Sequence, residues 1–292
     1  MNAQRFGGPW TEQKLNALEN YLSAYLTIFT RNQKAAKFTR HYVDAFAGSG
    51  LRSVRDDTTT PLDLGEAGEA FEFMDGSVRK VLSMDKDFHK YWFVEKDSNH
   101  AASLQQMINE DFPGRSASCE IVEGDANEFL LGWTDQLGPM DRAVVFLDPY
   151  GMSVQWTTIE KLASTQKVDL WMLFPASSVI RMLPRQGPPD EAWSRRLTEL
   201  FGDESWRDEF YQEERQEDLF GERMAMNRTV TIDTVSNYLL RRLKEIFSGV
   251  VDKPLVLLNS RRSPLFMLVF AAGNPRGATP AISIAGNIIK NA

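Results

Sequence analysis

Cysteine is nearly absent from this sequence: Cys119 is the only one among 292 residues. One thiol excludes an intramolecular disulfide and any multi-cysteine metal site. It lies in SASCEIVEGD, ahead of an alternation of apolar and acidic residues, and reads as a half-buried strand cysteine rather than a nucleophile. Histidine is almost as scarce, with His41, His89 and His100 standing singly and without the spacing of a metal-binding pair. No protein-bound metal is expected. No run reaches the length of a membrane span, and the opening MNAQRFGGPWTEQKL lacks the basic start and apolar stretch of a secretory signal. The expected location is therefore cytoplasmic. The pattern G-x-x-x-x-G-K-[ST] is also missing, which excludes a P-loop ATPase.

What is present is ordinary globular material, 42% hydrophobic and 25% charged, which leaves no room for wholesale disorder. The net charge of -7 is concentrated: between Asp190 and Arg223 stand 12 acidic and 5 basic residues, so this segment carries the whole excess and the remainder is balanced. A balanced core neither favours nor excludes a polyanionic substrate, because phosphate affinity depends on local Lys and Arg patches.

Leu15, Leu18, Leu22, Tyr25, Leu26 and Phe29 recur at helical spacing and predict a helix over Thr11 to Lys37 with Thr11 as N-cap. A first strand follows from His41 to Phe46, ending in Ala-Gly-Ser-Gly. A polar stretch to Thr60, a segment to Asp75 and a helix after Ser77 precede a second strand at Tyr91 to Glu95. Further strands are expected at Cys119 to Val122, Ala143 to Leu147 and Val168 to Phe174, with helices at Asn99 to Glu110 and Thr158 to Ala163. Strands alternating with helices predict an α/β fold with a mostly parallel sheet. The breakers between Pro184 and Pro189 introduce the acidic segment, read as helices carrying Trp193, Leu197, Phe201, Trp206, Phe210 and Tyr211. A helix from Thr231 to Phe247 leads back to the sheet. Pro254 to Leu258 and Leu265 to Phe270 are joined too closely for a parallel crossover, so that last pair is predicted to be antiparallel. The organisation expected is thus residues 1–184 as N-terminal helix and cofactor-binding core, 185–230 as acidic helical insertion, and 231–292 as helix and hairpin completing the core.

The chemistry collects at strand ends. Asp44-Ala-Phe46-Ala47-Gly48-Ser-Gly50 closes the first strand, Glu95 the second, Gly124-Asp125-Ala126 the third, and Asp148-Pro149-Tyr150-Gly151 the fourth. In an open parallel sheet, ligands bind beyond the carboxyl ends where strand order reverses. Glycines let backbone approach a ligand, Glu95 suits ribose hydroxyls, and Asp125 suits an adenine amino group. NAD fits poorly, since Ser53 stands at the third glycine position and Glu95 comes late for the dinucleotide acid. S-adenosylmethionine (SAM) fits better, because Asp44 beside the glycine loop would attract a cationic ammonium and repel a pyrophosphate. Smaller signals are Arg261 and Arg262 in the terminal hairpin and Arg181 after the fifth strand, all expected on the cofactor side. Arg31, Lys34, Lys37 and Arg40 form a basic run at the other edge, read as a solvated face or partner surface. The spacing of Trp193 and Trp206 reads as a small core.

D-x-F-x-G-x-G, the strand-end Glu95, G-D-A and D-P-Y-G in this order resemble a class I SAM-dependent methyltransferase. The set HYVDAFAGSG, GSVRKVL before WFVEKD, FLDPYG and LFGDESWRDEFY resembles the three-Cys-motif partner protein (TcmP) family, over most of the chain. That resemblance implies a Rossmann-like sheet with a reversed last strand and SAM held by Asp44, Phe46, Ala47, Gly48, Gly50, Glu95, Asp125 and Ala126. It also implies a partner protein carrying a three-cysteine motif. Asp148, Pro149 and Tyr150 are similar to the [DN]-P-P-[YF] motif of enzymes that methylate base amino groups, one proline short. There the carboxylate and a carbonyl accept from the target amine and the ring stacks on the flipped base. Methylation of a nucleic-acid base and non-catalytic docking of a partner both remain open at this stage.

Overall fold

The computed structural model describes residues 9–49, 76–149, 151–218 and 221–292, with the backbone alone for 9, 213–218 and 221–226. The Gly50 to Asp75 stretch and Tyr150, to which the sequence assigned roles, lie outside the described residues.

Helix α1 runs Pro9–Arg31, with Pro9 at its first turn, where a missing N–H costs nothing. It begins ahead of Thr11, which lies inside the helix with a buried hydroxyl lacking a hydrogen-bond partner, so Thr11 is not the cap. It also stops short of Lys37. Asn32 accepts from the Lys34 N–H and starts a separate turn, Gln33–Ala36, because a side-chain oxygen there competes with continuation of the helix.

Among the described residues ten strands follow: β1 Thr39–Asp44, β2 Lys90–Glu95, β3 Cys119–Glu123, β4 Asp141–Leu147, β5 Val168–Phe174, β6 Tyr211–Asp218, β7 Gly221–Arg228, β8 Gly249–Val250, β9 Leu255–Leu258 and β10 Pro264–Ala272. The helices besides α1 and the short turns Gln33–Ala36 and Pro113–Ser116 are, among the described residues, α2 Gly76–Leu82, α3 Ser98–Asp111, α4 Ala126–Asp135, α5 Trp156–Ser164, α6 Ala176–Met182, α7 Glu191–Phe201, α8 Trp206–Phe210, α9 Ile232–Ile246 and α10 Ala278–Asn291. The first strand starts and ends two residues earlier than its expected bounds, so Asp44 is its last residue and the glycine loop begins at once.

The main sheet has the order β3-β2-β1-β4-β5-β10, with β8 and β9 both pairing with the far side of β10. β1 to β5 pair in parallel, whereas β10 is antiparallel to β5, β8 and β9. This is a Rossmann-like sheet, mostly parallel with its last strand reversed. The predicted antiparallel pair is present, and β10 lies between β5 and β9. Strand order reverses between β1 and β4, which puts the topological switch point at their carboxyl ends.

Both faces are covered, as the near-continuous apolar β4 and β5 require. Tyr42, Phe93, Phe146, Trp171 and Phe270 face α1, α3 and α10; Val43, Val145, Leu147, Met172 and Val269 face α4, α5, α7 and α9. The acidic segment has two parts. Its helices α7 and α8 bury Leu197, Phe201, Trp206 and Phe210 completely within the core that the sheet shares. Its remainder is a two-stranded hairpin, β6 with β7, where the sequence reading extended helix; Tyr211 opens a strand. Trp193 is 40% exposed and does not join Trp206 in the core. Gly202 ends α7 at φ 90°, and a Cβ there would lie 2.2 Å from Trp156 Cδ1, so the turn admits only glycine.

Candidate cofactor site at the strand ends

In a parallel pair, residues in register point to the same face, and alternate residues along a strand share a face. Asp44 is in register with Phe146. Asp148, two residues past Phe146, therefore projects on the same side as Asp44, the side covered by α1. Asp44 is fully buried, accepting from Ser77 Oγ at 2.6 Å and from the Phe46 N–H at 3.3 Å. Burial pushes its carboxyl up to about 7; the Ser77 hydrogen bond opposes that rise and the nearby Asp148 adds to it. Two positions back on the same face, Tyr42 keeps a buried hydroxyl with no hydrogen-bond partner, and desolvation raises its pKa well above the usual phenol value.

The glycine loop is latched to β2. Ala47 donates its N–H to the Val94 carbonyl at 2.9 Å, and Gly48, at φ 67°, donates to Glu95 Oε2 at 2.9 Å. A left-handed backbone angle at that point suits glycine and turns the chain across the end of the sheet. Glu95 is buried and also accepts from the Asp97 N–H through Oε1 at 2.8 Å, with His100 Nδ1 3.9 Å away. Both its oxygens are thus fixed by backbone donors, while each keeps a second lone pair. Phe46 is half-buried against the core on the α4 side.

Asp125 is the N-cap of α4, a helix that the sequence reading passed over. Its Oδ1 accepts from Asn127 N–H at 2.9 Å and Glu128 N–H at 3.4 Å, and Lys96 Nζ lies 3.7 Å from Oδ2. The capping requirement alone accounts for a carboxylate here, and the side chain stays partly exposed, with Oδ2 not used in the cap. Ala126 is the first helical residue and buried. Asn127 then ties α4 to the loop after β4: its Nδ2 donates to the Ser153 carbonyl, and its Oδ1 accepts from Gln155 N–H and Thr158 Oγ1.

Asp148 is not free in this arrangement. Lys14 of α1, 1% exposed, forms an ion pair with its Oδ2, and the ammonium stands 5.6 Å from the Trp10 ring centre and 5.9 Å from that of Phe146. Pro149 is buried beside it. Asp44, Phe46, Ala47, Gly48, Glu95, Asp125, Ala126, Asp148 and Pro149 thus lie together along the carboxyl edge of the sheet. Lys14, Ser77 and Asn127 were not foreseen. Lys14 had a readable signal: a charged residue on the buried stripe of Trp10, Leu18 and Tyr21 needs a buried partner.

Among the described residues no group of three His, Cys, Asp or Glu side chains is arranged to hold a metal, and no helix is long and apolar enough to cross a membrane. Cys119 is half-buried, with burial pushing its thiol up to about 12, which fits the strand-cysteine reading. Arg261 and Arg262 occupy the β9–β10 turn, where Asn259 accepts from the Arg261 and Ser263 N–H groups and Arg262 adopts φ 60°. Because β9 runs parallel to β5, that turn and Arg181 on α6 lie at the carboxyl edge, as expected.

No protein-family model matches the chain, and no curated protein sequence matches it. Solved structures resemble it in outline. A protein from Legionella pneumophila is 11% identical with a TM-score of 0.48, covering 97% of this chain and 92% of its own. The methyltransferase domain of a bacterial Hen1 is 10% identical with a TM-score of 0.39, over 88% of this chain and 100% of its own. Spermidine synthase from Thermotoga maritima is 10% identical with a TM-score of 0.39, over 88% of this chain and 59% of its own.

Proposed function

We propose that this protein binds SAM at the carboxyl ends of β1 to β4 and transfers its methyl group to a polar acceptor, with a nucleic-acid base amine as the first candidate. The observation that carries this reading is the set of acids closing four adjacent strands, with a positive-φ Gly48 after β1 latched to Glu95 at the end of β2, beside the switch point. The residues fit the group. Asp44 is a desolvated carboxylate lifted to about 7, and a cationic ligand beside it would offset the cost of ionising it. Gly48 presents backbone without a Cβ, and Glu95 offers two oriented oxygens to vicinal hydroxyls.

In this reading Asp44, Phe46, Ala47, Gly48, Gly50, Glu95, Asp125 and Ala126 hold the cofactor. SAM supplies a methyl group on a cationic sulfonium, open to in-line displacement. Asp125 accepts from the adenine amine through the oxygen not used as a helix cap. Asp148 and the Pro149 carbonyl accept from the acceptor amine, Asp148 turning from Lys14 toward it or sharing the two, and Tyr150 stacks on the acceptor. A hydrogen bond that strengthens as the amine gains positive charge lowers the barrier rather than merely tightening binding. Membership of the TcmP family belongs to the same proposal.

A second reading has a specific observation behind it. The Lys14 ion pair engages the carboxylate that would orient an acceptor, as expected if Asp148 anchors α1 and the molecule docks a three-cysteine partner without catalysis. Calorimetric titration with SAM, followed by transfer of labelled methyl to DNA, RNA and candidate proteins, separates the two. The methyltransferase reading expects micromolar SAM binding, with transfer lost and SAM affinity kept in Asp148→Asn. SAM binding with full transfer by that variant refutes the role of Asp148; absence of SAM binding by folded protein refutes the enzyme.

A further inference from the structure

A separate cavity of about 330 Å³ opens at the opposite, amino-terminal edge of the sheet, between the C-terminal half of α1, the starts of β4 and β5, and the first turn of α10. Arg142 and Asp148 are six residues apart along one extended strand, which puts this cavity about 20 Å from the cofactor site. Nothing in the proposed methyl transfer uses it.

Its composition is selective. Tyr21, Tyr25, Phe29 and Phe38 supply aromatic wall, and Lys34, Arg142, Lys167 and Arg276 bring cations around it. The one carboxylate in the lining, Asp169, is half-buried; it accepts from Tyr21 Oη at 2.7 Å and lies close enough to Arg142 for the charges to interact. Arg142 therefore answers Asp169, and Lys34, Lys167 and Arg276 remain as surplus positive charge. Lys167 commits one donor to the Leu137 carbonyl at 2.7 Å and keeps two more. The Arg142 guanidinium carbon lies 4.1 Å over the Phe38 ring centre, a cation–π contact. Tyr25, 6% exposed, keeps a hydroxyl without a hydrogen-bond partner beside Asp169 and Arg142, and a buried donor left unpaired carries a cost.

We propose that this cavity is a second binding site, for a small organic anion with an aromatic body, its ring against Tyr25, Phe29 and Phe38 and its acidic group among Lys34, Lys167 and Arg276. The size agrees, since cavities that hold small molecules begin at about 300 Å³. The two halves of the ligand are dictated separately: aromatic walls select the body, and uncompensated cations select the charge. A neutral aromatic would leave the cations unanswered, and a small inorganic anion would leave the walls wet.

The test uses the full chain and 8-anilinonaphthalene-1-sulfonate, an aromatic anion whose fluorescence reports binding. One saturable site is expected, not displaced by S-adenosylhomocysteine. The uncharged analogue N-phenyl-1-naphthylamine is expected to bind at least tenfold more weakly. Arg276→Glu, at an exposed position, should raise the dissociation constant about tenfold with an unchanged melting temperature, and Ile284→Trp should block the cavity. Should Ile284→Trp fail to fold, Arg276→Glu decides alone. Absence of saturable binding, displacement by S-adenosylhomocysteine, equal affinity for the neutral analogue, or unchanged affinity in folded Arg276→Glu would each overturn the assignment.

Discussion

Asp44→Asn tests the electrostatics of the cofactor site without any ligand. The wild-type carboxyl is held at about 7 against an ordinary 3.8. A carboxyl raised in the fold makes the folded state bind more protons than the unfolded chain between those values. Stability is therefore greatest below 3.8 and falls as pH rises toward 7. Between pH 5 and pH 8 the loss assigned to Asp44 is on the order of 3 kcal/mol, taking ~1.4 kcal/mol per pH unit until the group is ionised. Asparagine keeps the shape and can still accept from Ser77, but it does not titrate. Asp169, raised to about 6 by burial, titrates in both proteins and cancels in the comparison. Urea unfolding at pH 5 and pH 8 measures the quantity directly: the wild type should lose about 3 kcal/mol more than the variant over that interval. Parallel pH profiles would refute the argument that desolvation governs Asp44. A corollary concerns binding: at pH 6 a cationic ligand that ionises Asp44 should release up to about one proton, visible as buffer-dependent heat.

Removing Lys14 alone as Lys14→Met should cost about 3–5 kcal/mol, because Asp148 would be left buried and unpaired. The double variant Lys14→Met with Asp148→Asn should recover part of that loss, and strictly additive unfolding energies would count against a coupled pair. Asp125→Ala should lower stability by about 1 kcal/mol through loss of the α4 cap, as well as weakening SAM binding; unchanged denaturant midpoints would show that the cap contributes nothing. Gly202→Ala, which would place a methyl 2.2 Å from the fully packed Trp156, should yield little folded protein, and a soluble variant with wild-type melting would contradict the packing around α7.

The strands were legible because buried parallel strands are both apolar and short, as Ala143 to Leu147 and Val168 to Phe174 are. The strand-end acids were legible for a related reason: an acid after an apolar run marks where the sheet gives out. Chemical roles were less so. Asp125 serves a helix cap that uses the same residue type a ligand would, and the local sequence cannot distinguish the two demands. Lys14 and Asp148 are 134 residues apart, so their pairing is a product of tertiary packing alone. The β6–β7 hairpin escaped because its strands, YQEERQED and GERMAMNR, have the charge and Glu content of a surface helix. Past Phe29 no apolar rhythm supports the helix, and Asn32, whose side chain accepts from the Lys34 N–H, ends it there.

The interior position of β10 has a consequence for synthesis. Chains leave the ribosome amino end first, so β5 is complete long before the strand that will lie beside it. Until Pro264 to Ala272 emerge, β5 is the exposed border of a partial sheet, and VDLWMLF is a strongly apolar border to leave bare. The helices α7 to α9, made in the interval, cover one face of that strand but cannot satisfy its backbone groups. A chain truncated anywhere between Phe174 and Pro264 should consequently aggregate rather than persist as a smaller soluble domain, with β5 as the adhesive segment.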